Sequence, residues 1–334
     1  MKVVVDAFGG DYAPREIVLG AIKALQTNEK LEVVLVGDKD RISELLQELV
    51  FVSDRLEIVH APDIVTMDDV PTVAIRTKKT SSIVVAYDYL KNNDDAVALV
   101  SAGSTGATLT GAVLKLGRIQ NISRPALAPI LPTINDRGVM LLDCGANADC
   151  KPENLLHFAI MGNEYMKATG VSKPRIGLLN IGTEEEKGDE VHKEAYQLLK
   201  NSKLNFIGNI ESRDVLRGNC DVVVCDGFSG NICLKTIEGT AEILFSEIKD
   251  TIKSSLRAKI GALFFKKGLV GIKNKYDYNK VGGAPMLGVG KIVIKCHGNS
   301  KAEVIAKSIQ QAYGLAENKL VEKTKKAVEK IEKK

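Results

Sequence analysis

The apolar run Ala96-Val-Ala-Leu-Val100, followed directly by Ser101-Ala-Gly-Ser-Thr-Gly-Ala107, decides the fold of this 334-residue chain. The first run predicts a buried parallel strand, and the second predicts a loop that enters a helix extending to Leu116. Unpaired N–H groups at such a helix start favour an anion, so the loop is a candidate phosphate site. A tight turn without a ligand is the alternative, because the loop has neither the P-loop lysine nor a GxGxxG spacing.

Short β-branched runs alternate with longer amphipathic stretches along most of the chain. The strand-like runs lie at 2–5, 31–36, 56–59, 96–100, 139–142, 175–179, 221–225 and 291–295, and the helical stretches at 13–25, 42–49, 82–90, 152–168, 190–199, 230–248 and 302–315. This alternation predicts a three-layer α/β/α fold with a mostly parallel sheet. We expect residues 1–334 to form a single α/β catalytic domain, with a solvated Lys/Glu-rich tail at 318–334.

Five predicted strands end in loops that combine glycine with Asp, Asn, Ser or Thr. These loops begin at Asp6, Ser101, Asp143, Asn180 and Asp226. Turn chemistry explains any one of them. Because the carboxyl ends of parallel strands share one edge of an open sheet, five such loops favour a common ligand site at that edge.

The residues around this edge do not form a local signature for a protein nucleophile. Among the four histidines, only His297 follows a predicted strand among small polar residues. The six cysteines form no CxxC pair, so we expect buried thiols, no metal and no cofactor. Inorganic phosphate is already an anion and attacks a thioester without a protein nucleophile, provided that the site positions both reactants and stabilises the oxyanion. With no apolar h-region after Lys2, we expect a cytoplasmic protein.

Residues 249–281 are basic and amphipathic, with nine Lys/Arg against two Asp/Glu. Apolar residues follow helical spacing up to Phe264-Phe265, and Lys266-Lys267 come next. This pattern suits an anionic membrane surface or an acidic protein partner, whereas a homodimer interface with a solvated basic face is the alternative. No recognised motif indicates nucleic acid. The candidate contact residues are Lys259, Leu263, Phe264, Phe265, Lys266 and Lys267.

A series of motifs along nearly the whole chain closely resembles the bacterial phosphate acyltransferases of phospholipid synthesis. They are Asp6-Ala-Phe-Gly-Gly-Asp-Tyr-Ala-Pro14, the 101–107 loop, Arg124-Pro-Ala-Leu-Ala-Pro129, the 142–149 stretch with Lys151-Pro-Glu153, the 177–185 and 205–211 stretches, Asp226-Gly-Phe-Ser-Gly-Asn231 with Leu234-Lys-Thr236, Gly282-Gly-Ala-Pro285 and His297-Gly. The chain departs from the family at Phe8, where Met is usual, and at Ser104, where Asn is common.

The resemblance implies transfer of a fatty acyl group from acyl carrier protein to inorganic phosphate, which forms acyl phosphate for phospholipid synthesis. It also implies a fold similar to the isocitrate/isopropylmalate dehydrogenases and the phosphotransacetylases. The expected partners are acyl-acyl carrier protein, phosphate, an anionic membrane surface and a second copy of the chain, with a membrane glycerol-3-phosphate acyltransferase as a further partner. The protein would then be cytoplasmic and peripherally associated with the inner face of the cell membrane.

We assign candidate roles within this scheme. The phosphate-binding candidates are Ser101, Gly103, Ser104, Thr105, Gly106 and Asn147; the catalytic candidates are Lys235, His297 and Asn180; and the site-shaping candidates are Asp6, Gly9, Gly10, Asp226 and Asn231. Two rival functions stay open at this point. One is a metal- and nicotinamide-dependent dehydrogenase on the same kind of fold, and the other is a non-catalytic carrier-protein or membrane adaptor.

Overall fold

A computed structural model describes residues 1–135, 137–276 and 282–332. The strands are β1 (Lys2–Asp6), β2 (Glu32–Gly37), β3 (Leu56–His60), β4 (Ala96–Ser101), β5 (Ala126–Leu127), β6 (Ile130–Leu131), β7 (Val139–Leu142), β8 (Ile176–Leu179), β9 (Phe206–Ile210), β10 (Val222–Val224), β11 (Ala284–Leu287) and β12 (Ile292–Lys295). The α-helices are α1 (Arg15–Thr27), α2 (Lys39–Glu48), α3 (Pro71–Thr77), α4 (Ser82–Asn92), α5 (Thr105–Gly111), α6 (Pro152–Ala168), α7 (Glu190–Lys200), α8 (Gly227–Lys253), α9 (Leu256–Lys275), α10 (Ala302–Glu317) and α11 (Leu320–Glu332). A π-helical turn at Ala112–Leu116 continues α5, and a 3₁₀ helix spans Ser212–Arg217.

The strands form two sheets, which differs from the single shared sheet that the alternation predicts. One sheet has the order β3-β2-β1-β4-β12-β11-β5 and the other β6-β7-β10-β8-β9. Most neighbours are parallel, and β11 and β6 pair in antiparallel fashion. The α/β class is therefore confirmed. The five glycine-rich strand ends do not share one edge, because β1 and β4 belong to the first sheet while β7, β8 and β10 belong to the second.

The chain passes between the sheets over a very short distance. The two-residue strand β5 pairs with β11 in the first sheet, and the two-residue strand β6 pairs with β7 in the second. Runs this short carry no periodic signal, which is why the sequence did not reveal the division. One buried apolar cluster nevertheless includes side chains from both sheets, among them Val3, Val100, Met140 and Ile176.

The cysteines and the C-terminal tail test two further expectations. All six cysteines are free thiols, and Cys150 alone is not fully buried, which confirms their interpretation as small apolar residues. The tail is helical as α11, but it is not simply solvated. Leu320, Thr324 and Val328 follow one another at helical spacing and are buried, and α11 packs on α6. Residues 333 and 334 of the predicted tail lie outside the described residues.

Helices α8 and α9 form an arm that makes few contacts with the rest of the protein. Along the 27 residues of α8, the buried positions are confined to Gly227, Gly230 and Cys233, and α9 has none. The two helices pack on each other, and α9 is kinked at Phe265, whose backbone is not helical. Within the described parts of the chain, no helix is both long and apolar enough to cross a membrane. Residues 277–281 of the predicted basic segment lie outside the described residues.

Two glycines of α8 provide a test of where this helix is anchored. A methyl group at Gly230 would collide with the Asp143 carbonyl oxygen and lie 2.7 Å from Cys225 Sγ, whereas one at Gly239 would meet nothing within 4 Å. We expect Gly230→Ala to lower the free energy of unfolding by about 1–3 kcal/mol through overpacking. Gly239→Ala should raise it by roughly 0.5–1 kcal/mol, because alanine favours the helix. Urea unfolding measures both values, and equal effects would contradict this account of the anchor.

Candidate active site

A cleft of about 340 Å³ lies where loops from both sheets come together. Thr105 and Lys295 reach it from the first sheet, and Gly145 follows β7 of the second sheet. Helix α8 contributes Asn231, Lys235 and Glu238, whose spacing places them on one face. His297, Cys144 and Ser300 complete the polar lining. The cleft therefore brings together Thr105, Asn231, Lys235 and His297, four of the residues that the sequence proposed.

Asp6 and Ser101 hold the first two loops together at the floor of this region. The Ser101 hydroxyl donates to Asp6 Oδ2 at 2.7 Å and accepts from Gly103 N at 3.1 Å. Asp6 is only 2% exposed, and this burial raises the pKa of its carboxyl group. A side chain at Gly9 would lie 2.5 Å from Asp6 Oδ2 and 2.7 Å from Gly103 N, so only glycine fits there. The Ser101 hydroxyl thus braces the two loops, and its role as a phosphate ligand stays a prediction.

The 101–106 loop is also tied to the segment after β12. Cys296 N donates to Ser101 O at 2.8 Å, and Asp11 N donates to Gly298 O at 2.8 Å. Gly10 has a φ of 108° and approaches Ala102 closely. Ser104 caps α5 by accepting from Ala107 N at 3.4 Å. Thr105 is the member of this loop that reaches the cleft.

Phe8 and Gly106, which border these loops, pack against other segments. Phe8 fills the space over Gly37, and the guanidinium of Arg41 lies 4.8 Å from the centre of its ring. The departure from Met at this position therefore serves local packing. Gly106 faces Pro71, whose Cγ would be 2.6 Å from an added methyl group. The close approach of α3 excludes a larger residue at Gly106.

A second buried carboxylate, Asp143, organises the loop after β7. It accepts from Leu127 N at 2.8 Å, from Asn147 N at 2.7 Å and from Asn147 Nδ2 at 2.9 Å. The same Asn147 amide donates to Pro125 O at 2.7 Å, and Asn147 O accepts from Gly227 N at 2.7 Å. Asn147 thus braces the loop against the start of α8. Its role as a phosphate ligand stays a prediction.

The start of α8 is fixed by its capping residue. Asp226 accepts from Ser229 N at 2.8 Å, and His192 Nε2 lies 4.0 Å from Asp226 Oδ2. Because this cap sets the direction of the helix, it decides which side chains of α8 face the cleft. Asn231 is the first of them, opposite Gly145, and a methyl group at Gly145 would lie 3.6 Å from Asn231 Cγ.

Asn180 lies in a different environment from the other catalytic candidates. Its Nδ2 donates to Lys187 O at 3.0 Å, and its Oδ1 accepts from Ile181 N at 2.8 Å. These contacts hold the 181–187 loop after β8. The catalytic role that the sequence assigned to Asn180 stays a prediction.

The cleft has a strongly basic character with one carboxylate beside it. His297 Nε2 lies 3.7 Å from Glu238 Oε1. Partial burial, together with Lys295 and Lys235, lowers the pKa of His297, which favours a neutral imidazole at neutral pH. Burial raises the pKa of Glu238 and lowers that of Lys295. Such a site attracts an anionic ligand and places a proton acceptor beside it.

The sequence analysis missed two charged residues of the cleft, and the reactivity of one cleft thiol depends on its burial. Lys295 ends β12 two residues before His297, and Glu238 lies one helical turn after Lys235. Their spacing from recognised candidates is the signal that would have found them. Cys144 lines the cleft, but burial, with a smaller effect of Asp143, raises the pKa of its thiol well above the usual value. Cys144 therefore stays protonated and is a poor nucleophile.

Comparison with known proteins identifies the family. A family model described as fatty acid synthesis protein matches residues 1–323. The chain belongs to this family. It is 49% identical over 330 residues to the phosphate acyltransferase of Caldanaerobacter subterraneus subsp. tengcongensis, with 98% of each chain covered. It is also 49% identical over 332 residues to that of Thermoanaerobacterium thermosaccharolyticum, covering 99% of this chain and 98% of the relative.

These relatives confirm the resemblance to the bacterial phosphate acyltransferases. The chain is a transferase enzyme of this type, and its family places it in lipid synthesis. Solved structures agree on the fold. The EutD phosphotransacetylase from Staphylococcus aureus has a TM-score of 0.63 at 18% identity and covers 95% of this chain and 94% of its own. A putative 4-hydroxythreonine-4-phosphate dehydrogenase from Salmonella typhimurium has a TM-score of 0.53 at 14% identity, covering 94% and 99%.

The hydrogen bond between Ser101 and Asp6 predicts a pH-dependent effect on stability. Ser101→Ala removes a donor from a buried carboxylate, which should lower the free energy of unfolding by about 1–3 kcal/mol when Asp6 is ionised. The pKa of Asp6 in the folded state is already raised, and losing the donor raises it further. The folded protein therefore loses stability as pH rises from the ordinary Asp pKa to the raised pKa of Asp6 in the folded state, and the variant loses more.

Urea unfolding of both proteins across a pH series measures this effect. The difference between them should be smallest below the ordinary Asp pKa of 3.8, where the carboxyl group is protonated, and should grow with pH. Ser123→Ala serves as a control, because the Ser123 hydroxyl accepts from the neutral Asn154 amide rather than contacting a carboxylate. A Ser101→Ala difference that does not change with pH would contradict the assignment.

Proposed function

We propose that this enzyme transfers a fatty acyl group from the thioester of acyl carrier protein to inorganic phosphate. The observation that carries the proposal is the composition of the cleft, which combines Lys235, Lys295 and His297 with Thr105 of the glycine-rich loop. Basic groups suit a phosphate reactant and the oxyanion that forms during acyl transfer. The protonated Cys144 offers no competing nucleophile. The names of the relatives support phosphate as the acceptor.

The chemistry follows from the charges in the cleft. A phosphate oxygen attacks the thioester carbonyl carbon, and the tetrahedral oxyanion is stabilised by the ammonium of Lys235. The intermediate collapses as the carbon–sulfur bond breaks, and the bonding electrons leave with sulfur. A thiol has a pKa of about 8.5, so the thiolate departs readily. Neutral His297 accepts the proton of the phosphate and passes it to the thiolate, so that acyl phosphate and free carrier thiol are the products.

Within this proposal the chain acts as one catalytic domain and as a homodimer at the inner face of the cell membrane. The arm provides a surface for that location. Phe264 is 87% exposed and Leu256 73% exposed, with Leu263 and Phe265 also exposed. Lys259, Lys266 and Lys267 are exposed beside them. Apolar side chains among lysines suit an anionic lipid surface, where a membrane glycerol-3-phosphate acyltransferase would take up the product.

Lys235→Met tests the chemistry directly. We expect kcat/KM for acyl phosphate formation from palmitoyl-acyl carrier protein and phosphate to fall by about 10²–10³-fold, because the variant keeps the side-chain volume and loses the charge at the oxyanion. The assay follows free carrier thiol and acyl phosphate together. Lys167→Met is the matched control, since Lys167 pairs with Glu164 on α6. No acyl phosphate from the unaltered enzyme would overturn the proposed function.

Reversing two positive charges of the arm tests whether it binds an anionic lipid surface. Lys266→Glu/Lys267→Glu should weaken binding to phosphatidylglycerol vesicles by at least about tenfold at low salt, because each lysine near an anionic surface contributes about 1 kcal/mol. The effect should shrink as salt is raised. Lys325→Glu/Lys326→Glu on α11 makes the same change in net charge and should bind normally. Equal loss in both variants, measured by vesicle sedimentation, would show that overall charge rather than the arm controls binding.

A further inference from the structure

Lys295 is a buried basic residue with no carboxylate at ion-pair distance among the residues that the structure describes. Lys295 is 8% exposed, and its Nζ donates a hydrogen bond to the Cys296 carbonyl oxygen. Over residues 1–135, 137–276 and 282–332, its ammonium group makes no ion pair. A buried ammonium without an opposite charge costs several kcal/mol, which is why buried charges in proteins are almost always paired. A bound anion would supply the opposite charge and so offset the cost of burying the Lys295 ammonium group.

Ser300 provides a second, independent observation in the same segment. Ser300 is 2% exposed and lines the same cleft as Lys295. Its Oγ has no hydrogen-bond partner in the part of the chain that the structure describes. A buried hydroxyl without a partner is unusual and indicates either a ligand or a cost to stability. Within the described residues, Ser300 thus lacks a hydrogen-bond partner, and Lys295, five residues earlier, lacks an opposite charge.

The position of Lys295 in the sheet connects these groups to the glycine-rich loop. Lys295 pairs with Ser101 in the parallel register of β12 and β4, and the two residues are direct neighbours across the sheet. Thr105 of that loop lines the cleft together with Lys295 and Ser300. The carboxylates that act electrostatically on the pKa of Lys295 are those of Asp11 and Asp6. The Asp6 carboxylate already accepts a hydrogen bond from Ser101. Because Lys295 itself lines the cleft, an anion bound there lies close to this residue.

We propose that Lys295 and Ser300 form the subsite that binds the phosphate reactant, with the ammonium neutralising the anion and the hydroxyl donating to one of its oxygens. This inference rests on the proposed function and adds the residues that hold the acceptor. The same chemistry would suit the phosphate diester in the prosthetic arm of an acyl carrier protein. The adjacency to the glycine-rich loop favours free phosphate, and the experiment separates the two sources.

Thermal unfolding with and without inorganic phosphate tests the subsite. Phosphate should raise the Tm of the unaltered enzyme, because a ligand that binds only the folded state stabilises it by mass action. Lys295→Met should lose this shift while its phosphate-free Tm stays equal or rises, since the variant removes an unpaired buried charge and retains the volume. Its KM for phosphate should rise at least about tenfold. Ser300→Ala should leave the phosphate-free Tm unchanged and reduce the shift.

Lys291→Met is the matched control, because Lys291 directly precedes β12 and Lys295 ends it. Lys291 Nζ donates to Leu90 O, Asn93 O and Ala96 O, at 2.6, 3.1 and 2.8 Å. Because this ammonium satisfies carbonyl groups from the end of α4 to the start of β4, its loss should lower the phosphate-free Tm. The phosphate shift should persist in Lys291→Met. The opposite pattern, with the shift retained in Lys295→Met and an unchanged KM, would overturn the inference and leave the proposed function standing.

The remaining outcomes separate the subsite from the proposed function. If phosphate shifts the Tm through Lys295 but no acyl phosphate forms from acyl carrier protein, the subsite stands and the proposed function fails. A parallel measurement with dimethyl phosphate distinguishes free phosphate from the phosphate diester of the carrier. A Tm shift with dimethyl phosphate that equals the one with inorganic phosphate and disappears in Lys295→Met would assign the subsite to the carrier's diester and overturn its assignment to the reactant.

Discussion

Two buried carboxylates, Asp6 and Asp143, are the constraint on which the active-site region depends. Each ends or directly follows a strand, β1 in one sheet and β7 in the other, and each is almost inaccessible to solvent. A buried carboxylate must be hydrogen-bonded, so its loops have to supply donors. Asp6 recruits the Ser101 hydroxyl, and Asp143 recruits Leu127 N and two donors of Asn147. The cleft lies between the two sheets, beside the loops that these hydrogen bonds hold in place.

This constraint separates the polar residues of the loops into two groups. The hydroxyl and amide groups nearest the strands face inward and satisfy the carboxylates, which explains why Ser101 and Asn147 are already engaged. The basic groups Lys235, Lys295 and His297 face the cleft instead. The carboxyl groups of Asp6 and Asp143 are thus buried within the loops, whereas the amino groups of Lys235 and Lys295 belong to residues that line the cleft. Burial lowers the pKa of both Lys295 and His297, so an anion that enters the cleft gains the most where water is already excluded.

The sequence predicted the α/β class and most helices and strands, because buried parallel strands such as β4 are continuous apolar runs that periodicity detects. It missed the division into two sheets, since that division depends on β5 and β6, which are two residues each. For the site, motif context proposed Lys235 and His297, and both line the cleft. It could not show which hydroxyl groups the fold engages, because Ser101 and Thr105 have similar chemistry, yet Ser101 donates to Asp6 whereas Thr105 lines the cleft. Lys295 was overlooked for a related reason: as the last residue of a strand it resembles an ordinary charged strand end.

Helix α8 carries three cleft residues at its start and forms part of the arm at its end. Its packing shows that these two regions are largely independent. An α-helix rises 1.5 Å per residue, so the 27 residues of α8 extend about 40 Å. Its buried residues end at Cys233, while Asn231, Lys235 and Glu238 face the cleft from the first three turns. The later turns have no buried positions, so substitutions there disturb few contacts with the body. Effects at the arm and at the cleft should therefore add rather than interact, since sites without shared partners behave independently. Substitutions in the later turns of α8 and in α9 should then leave the cleft residues in place.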